Sequence, residues 1–133
     1  MADEWTVERH LRDKPEQVVR LYDRFIELVE ACGPFTYSVT KTAISLQGSR
    51  RGFAGLKPRQ ASLDGYLDLQ RQVEDPRIRR SSPYTKRLFV HHFRIVGLSE
   101  LDAEFGEWVA KAYAVGAGAH MRSPTRAGDS WAD

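Results

Sequence analysis

The spacing of apolar residues changes period twice along this chain, and that change limits the folds open to it. Apolar side chains recur every three or four positions over residues 18–32 and again over residues 101–113, which indicates two amphipathic helices. Between these two stretches apolar and polar residues alternate, a pattern typical of half-buried β-strands. Gly33-Pro34 separates the first helical pattern from the alternating region.

Five segments in the middle of the chain show strand-type alternation, at residues 35–39, 42–48, 51–58, 62–70 and 87–95. Residues 73–85 contain two prolines and several turn-forming residues, so we expect a long loop there, with room for one helical turn. A short helix capped by Thr6 precedes the first long helix. The last helix is predicted to begin at Ser99, with Asp102 completing an approximate capping box.

The predicted element order is therefore ααβββββα. Strands grouped between helices with short connections favour an α+β fold, a mostly antiparallel five-stranded sheet with helices packed on one face. A chain of 133 residues suits one domain, which we assign to residues 1–118. Residues 119–133 have too little apolar content to pack and are expected to form a disordered tail.

Composition excludes several classes of protein. No apolar run approaches the roughly 20 residues that span a bilayer, and the acidic start MADEWTVERH is unlike a targeting peptide. We therefore expect no membrane contact and a cytoplasmic location. The single cysteine, Cys32, cannot form a disulfide within the chain, and the sequence indicates no cofactor.

Two adjacent histidines lie in the last predicted strand, RLFVHHFRI. Successive strand residues point to opposite faces of a sheet, so His91 and His92 cannot bind one metal ion from a regular strand. His91 shares a face with Phe89 and Phe93, which predicts a buried histidine with a hydrogen-bonded ring. His92 is predicted to lie beside Arg94 on the other face. No other cysteine or histidine has zinc-like spacing, so we expect no metal site.

Positive charge is concentrated in the middle of the chain. Residues 31–98 carry 12 basic and 4 acidic side chains, a net charge of +8, although the whole chain has +2. A basic sheet surface with interspersed aromatic residues can bind phosphates and stack bases. The alternative is that these arginines solvate a sheet edge and prevent edge-to-edge association. The candidate ligand-binding residues are Lys41, Arg59, Tyr66, Arg79, Arg80, Arg87, His92 and Arg94.

Three functions remain open from the residues alone. The leading hypothesis is a non-catalytic binding module for an anionic partner, either nucleic acid or a phosphorylated ligand. The second is a homodimerisation or protein-docking domain that uses an uncovered sheet face with Leu88 and Val90. The third is an enzyme with an unrecognised acid/base site around His92, Lys41 and Tyr66, because no standard nucleophile, phosphate-loop or metal motif is present.

Several segments in order resemble an uncharacterised bacterial family, the domain of unknown function 5655. The resemblance covers roughly residues 6–116 and includes the KP helix start, the DPRIRR segment, the histidine-bearing strand and the WVAKAY ending. It implies a small α+β domain that occurs alone or joined to other domains, some of them linked to nucleic-acid metabolism. It implies no established activity, cofactor or catalytic residue.

Overall fold

The computed structural model describes residues 4–119 and contains three α-helices and six β-strands. The helices are α1 (Val7–Leu11), α2 (Glu16–Glu30) and α3 (Ala103–Gly116), with a single 3-10 turn at Leu98–Glu100 before α3. The strands are β1 (Thr36–Val39), β2 (Ile44–Gln47), β3 (Gly52–Pro58), β4 (Leu63–Leu69), β5 (Ile78–Thr85) and β6 (Leu88–Ile95). The tail predicted at 119–133 lies almost wholly outside the described residues.

All six strands form one antiparallel sheet in the order β1-β2-β3-β4-β6-β5. The helices pack against one face, which confirms the predicted α+β architecture. The core lies between this face and the long helices, where Phe25 of α2 and Phe105 of α3 meet Phe93 of β6 at ring-centroid distances of 5.7 and 5.3 Å from Phe93. Each helix buries the apolar stripe that its sequence spacing predicts.

The sixth strand, β5, replaces most of the predicted loop at 73–85. It pairs with β6 at the edge of the sheet, and its register shifts at Arg79 and again at Tyr84. An edge strand needs no alternating apolar pattern, and it tolerates proline because one side of its backbone faces solvent. Pro83 and the run of polar residues therefore concealed a strand that is held by its pairing with β6.

The start of α3 also differs from the prediction. Ser99 lies in the 3-10 turn, and Asp102 is the residue that caps the helix, because its side chain accepts a hydrogen bond from the Phe105 N–H. The predicted cap of α1 is confirmed, since the Thr6 hydroxyl accepts from the Arg9 N–H at 3.1 Å. Both caps follow the ordinary preference for a short polar side chain at the helix N-terminus.

The turn between β2 and β3 closes the other end of α3. The backbone N–H groups of Arg50 and Arg51 both donate to the Gly116 carbonyl oxygen, at 2.8 and 3.2 Å. A Cβ atom at Gly48 would lie 2.8 Å from the Gly116 carbonyl carbon, so only glycine permits this approach. The GSRRG turn thus joins the sheet to the C-terminal end of the helix.

His91 holds the first part of the connection between β4 and β5. Its side chain is fully buried, as the strand parity predicts. The Val73 N–H donates to His91 Nε2 at 2.9 Å, and His91 Nδ1 lies 3.1 Å from the Phe89 carbonyl oxygen. Burial lowers the pKa of His91, so the ring is neutral at pH 7, with its proton on Nδ1 donated to Phe89. The bond from Val73 fixes the connection against β6, and the bond to Phe89 orients the ring within β6.

Arg77 holds the second part of the same connection. Its guanidinium is 9% exposed and forms ion pairs with Asp75, Asp102 and Glu104 at 2.8 to 2.9 Å. It also lies 4.7 Å from the centroid of the Trp108 ring, a cation–π distance. Arg77 is one of the basic residues of the predicted loop, but its charge is neutralised by ion pairs within the domain. These ion pairs connect the start of β5 to α3.

We expect Arg77→Met to lower the free energy of unfolding by about 1 to 3 kcal/mol, because the apolar stem is kept while the ion pairs with three carboxylates are lost. Arg24→Met is a matched control, since Arg24 forms one exposed ion pair with Glu27 and such pairs contribute about 0.5 kcal/mol or less. Urea unfolding of both variants measures the difference. Equal stability of the two variants would contradict a structural role for Arg77.

Candidate anion-binding cleft

The sheet face opposite the helices carries two rows of polar side chains. One row runs across Lys57 of β3, Asp64 of β4 and Arg94 of β6, which are direct cross-strand neighbours. The next row contains Gly55, Tyr66, His92 and Arg80, from β3, β4, β6 and β5 in turn. Antiparallel pairing therefore brings together residues that are as much as 39 positions apart in the sequence.

These rows form an open cleft of about 470 Å³ on the uncovered face, here called the open-face cleft. Its lining contains five permanently cationic side chains, one carboxylate and one histidine. The lining residues are Lys57, Arg59, Asp64, Gly65, Arg79, Arg80, His92, Phe93 and Arg94. The excess of cations gives the cleft a strongly positive potential.

Asp64 neutralises only part of this charge. Arg94 binds it through two hydrogen bonds of 2.9 Å each, and Arg59 adds a longer contact of 3.3 Å. Partial burial alone would raise the pKa of Asp64, but the hydrogen bonds from Arg94 and Ser62 outweigh it and lower the pKa below its ordinary value. Asp64 is thus ionised at neutral pH and holds Arg94 against the sheet.

The other three cations of the cleft have no such partner. Lys57, Arg79 and Arg80 are exposed, and within residues 4–119 the structure shows no hydrogen bond or ion pair from their side chains. Arg94, by contrast, is balanced by Asp64. Lys57, Arg79 and Arg80 therefore supply the uncompensated part of the positive potential of the cleft.

Tyr66 and His92 lie side by side between the cations. Their ring centroids are 6.3 Å apart, and the Tyr66 ring covers Gly55 so closely that a Cβ atom there would collide with it. The glycine therefore accommodates the neighbouring aromatic ring, as a cross-strand glycine–aromatic pair does in other sheets. Burial lowers the pKa of His92, and the charges of Arg80 and Lys57 lower it further, so the ring is neutral at pH 7.

A second polar cluster lies on the same face near the other end of β4. Asp68 forms a 2.6 Å ion pair with Arg51, and the Arg51 guanidinium lies 5.6 Å from the centroid of the Tyr84 ring. Asp68 is 4% exposed, and its Oδ1 atom has no hydrogen-bond partner among the described residues. Burial raises the pKa of Asp68 to about 6, against the opposing charge of Arg51.

The structure brings together most of the candidate residues named from the sequence. Arg59, Arg79, Arg80, His92 and Arg94 line the open-face cleft, and Tyr66 is the cross-strand neighbour of His92. Lys41 lies in the turn between β1 and β2 and does not line the cleft. Arg87 lines a different pocket, next to α3.

Two charged cleft residues, Lys57 and Asp64, are absent from the candidates named from the sequence. Lys57 lies two positions beyond Gly55 on the same face of β3, so strand parity alone could have placed it there. Asp64 becomes part of the site through its pairing with Arg94, and that pairing depends on the register of β4 with β6. No local pattern in the sequence specifies this register.

The structure restricts which residues could serve in the two alternative functions, an acid/base site and a docking face. An acid/base site would have to rely on Tyr66 and His92 without Lys41. A docking face could not use Leu88, which is 1% exposed and already packed inside the domain. Among residues 4–119 no three histidine, cysteine or acidic side chains converge closely enough to hold a metal ion.

The ionisation of Asp68 should make stability depend on pH. Its folded pKa of about 6 lies above the unfolded value of about 3.9, so its protonated form stabilises the fold and this contribution is lost as pH rises from about 4 to 6. Relative to Asp68→Asn, the native protein should lose about 2 kcal/mol of stability between pH 4.5 and 7.5. Urea unfolding of both proteins at the two pH values measures this change.

Asp64→Asn serves as the control, because the pKa of Asp64 is lowered and its own titration falls below this pH window. A difference between the native protein and Asp68→Asn that stays constant from pH 4.5 to 7.5 would show that Asp68 ionises with an ordinary pKa.

Comparison with known proteins gives a family but no activity. A family model described as "Domain of unknown function (DUF5655)" matches residues 7–116. No curated protein and no solved structure matches the chain. Since the match covers most of the sequence and all the described helices and strands, this chain belongs to the DUF5655 family of domains of unknown function.

Proposed function

We propose that this domain is a non-catalytic binding module that holds single-stranded nucleic acid on its uncovered sheet face. The observation that carries the proposal is the presence of three cations without ion-pair partners, Lys57, Arg79 and Arg80, around one cleft. An anion between them would relieve their mutual repulsion. Phosphate groups supply that charge at regular spacing along a strand.

The geometry of the cations suits phosphate better than an isolated carboxylate. Arginine presents a planar array of donors that matches phosphate oxygens. Arg79 and Arg80 approach from the edge strand β5, whereas Lys57 approaches from β3, on the far side of the cleft. A phosphate between them would therefore accept hydrogen bonds from opposite sides of the cleft. Arg94, on β6 between these two sides, would add a further donor.

Aromatic side chains on the same face favour nucleic acid over a small phosphorylated ligand. Tyr66 lies next to the cleft, and Tyr84 on β5 is 64% exposed, with one ring face towards Arg51. Exposed rings beside cations can stack unpaired bases, whose faces are accessible only in single strands. Tyr84 does not line the cleft, so a small ligand confined there would not reach it.

A cytoplasmic location completes the proposal, because nucleic acid is available there and the chain carries one cysteine and no pair that could form a disulfide. Among the described residues every helix is too short or too polar to cross a membrane. The proposed partner is thus reached from the aqueous phase.

The central expectation concerns the salt dependence of binding. Fluorescence anisotropy with a labelled 12-nucleotide single strand should give a dissociation constant that rises with salt, with a slope of about 0.7 per phosphate contact on logarithmic axes. The double variant Arg79→Ala/Arg80→Ala should weaken binding roughly tenfold at low salt and reduce the slope by about 1.4, because two phosphate contacts are removed.

Arg20→Ala/Arg24→Ala is the matched control. It removes the same charge from two exposed arginines of α2 that pair with Glu16 and Glu27, so affinity and slope should stay near those of the native protein. Equal losses in both double variants would show that net charge, and not the cleft, governs binding. If pyrophosphate binds and the oligonucleotide does not, the ligand of the cleft is a small phosphorylated molecule and the proposal of nucleic acid is wrong.

A further inference from the structure

A second pocket of about 490 Å³ lies on the side of the sheet that α3 covers, here called the helix-side pocket. The end of β4, the β5–β6 turn and the middle of α3 enclose it. Its lining residues are Leu69, Gln70, Arg71, Val73, Lys86, Arg87, Trp108, Lys111 and Ala114. None of them belongs to the open-face cleft.

The two sites are separated in space as well as in composition. Leu69 pairs with Phe89, five residues along β4 from the pair formed by Asp64 and Arg94, a distance of roughly 17 Å at the usual rise per residue. They also lie on opposite sides of the sheet. A ligand in one site therefore does not occupy the other.

The lining combines two kinds of surface. Leu69, Val73 and Trp108 show only small edges to the pocket, since each is less than 10% exposed, and Ala114 supplies an exposed apolar wall. Arg71, Lys86, Arg87 and Lys111 add four cations with aliphatic stems, and no carboxylate is among the lining residues. Pockets that bind small molecules usually have this character, with apolar walls and a few polar groups that fix orientation. The absence of an acidic lining residue means that an incoming anion meets no charge repulsion.

We infer that the helix-side pocket binds a small amphipathic anion, with a flat aromatic body and one acidic head group. The body would lie against Ala114 and the aliphatic stems of the lining cations, above the exposed edges of Leu69 and Trp108, and the head group would face Lys111 and the cations of the β5–β6 turn. This assignment rests on the shape and chemistry of the pocket and does not depend on nucleic-acid binding at the open-face cleft.

Ala114 offers a way to close the pocket without disturbing the core. It is exposed on α3 and lines the pocket, so Ala114→Phe places a ring in the space where the ligand would lie. Lys111→Met removes one rim cation and keeps the apolar stem. Lys57→Met is the matched control, because it removes an exposed lysine from the open-face cleft instead.

The probe is anilinonaphthalene sulfonate, an aromatic anion that fluoresces when it leaves water. The native full-length chain should bind one equivalent, with a blue shift and a micromolar dissociation constant. Ala114→Phe should weaken binding at least tenfold, Lys111→Met about fivefold, and Lys57→Met less than twofold. The uncharged phenylnaphthylamine, which lacks the sulfonate, should bind at least tenfold more weakly. Near-ultraviolet circular dichroism of each variant verifies native packing.

Two results would overturn the inference. Binding unaffected by Ala114→Phe in a natively packed variant would place the probe elsewhere. Equal weakening by Lys57→Met and Lys111→Met would mean that the probe responds to overall charge and not to this pocket. Neither result bears on the oligonucleotide titration, which uses different residues and a different ligand.

Discussion

The attachment of the β4–β5 connection to the rest of the fold is the constraint on which the uncovered face depends. His91 accepts the Val73 N–H inside the core, and Arg77 joins Asp75 to the start of α3 through Asp102. These contacts position the segment that follows at the edge of the sheet, where β5 pairs with β6. Without that pairing Arg79 and Arg80 would have no fixed position opposite Lys57, and the open-face cleft would lose one wall.

The positive charge of the central segment divides into two groups with different roles. Arg77 and Arg51 are held by buried or half-buried carboxylates, and they stabilise contacts within the domain. Lys57, Arg79 and Arg80 have no such partner in the described part of the chain. They lie around one cleft and leave it with an uncompensated positive potential, which is why we propose that they bind the ligand.

The sequence predicts the helices and the separation of the two histidines well, because both follow from local periodicity. It fails for β5, whose polar residues and Pro83 suit an edge strand that only pairing with β6 stabilises. It also does not separate Arg77 from the other basic residues of the central segment, because the three acidic partners of Arg77 become visible only in three dimensions. Lys41 is a candidate ligand-binding residue because of its charge alone, and the strand order places it away from Arg79 and Arg80.

A nuclear magnetic resonance titration of the ¹⁵N-labelled domain with a single-stranded oligonucleotide tests most directly whether the uncovered face is the binding surface. We predict shifts concentrated in the backbone amides of Lys57, Arg59 and residues 79–80 and 92–94, with the amides of α2 unchanged. Shifts that fall mainly on α2 or around residues 111–114, or that are spread evenly over the surface, would contradict the account.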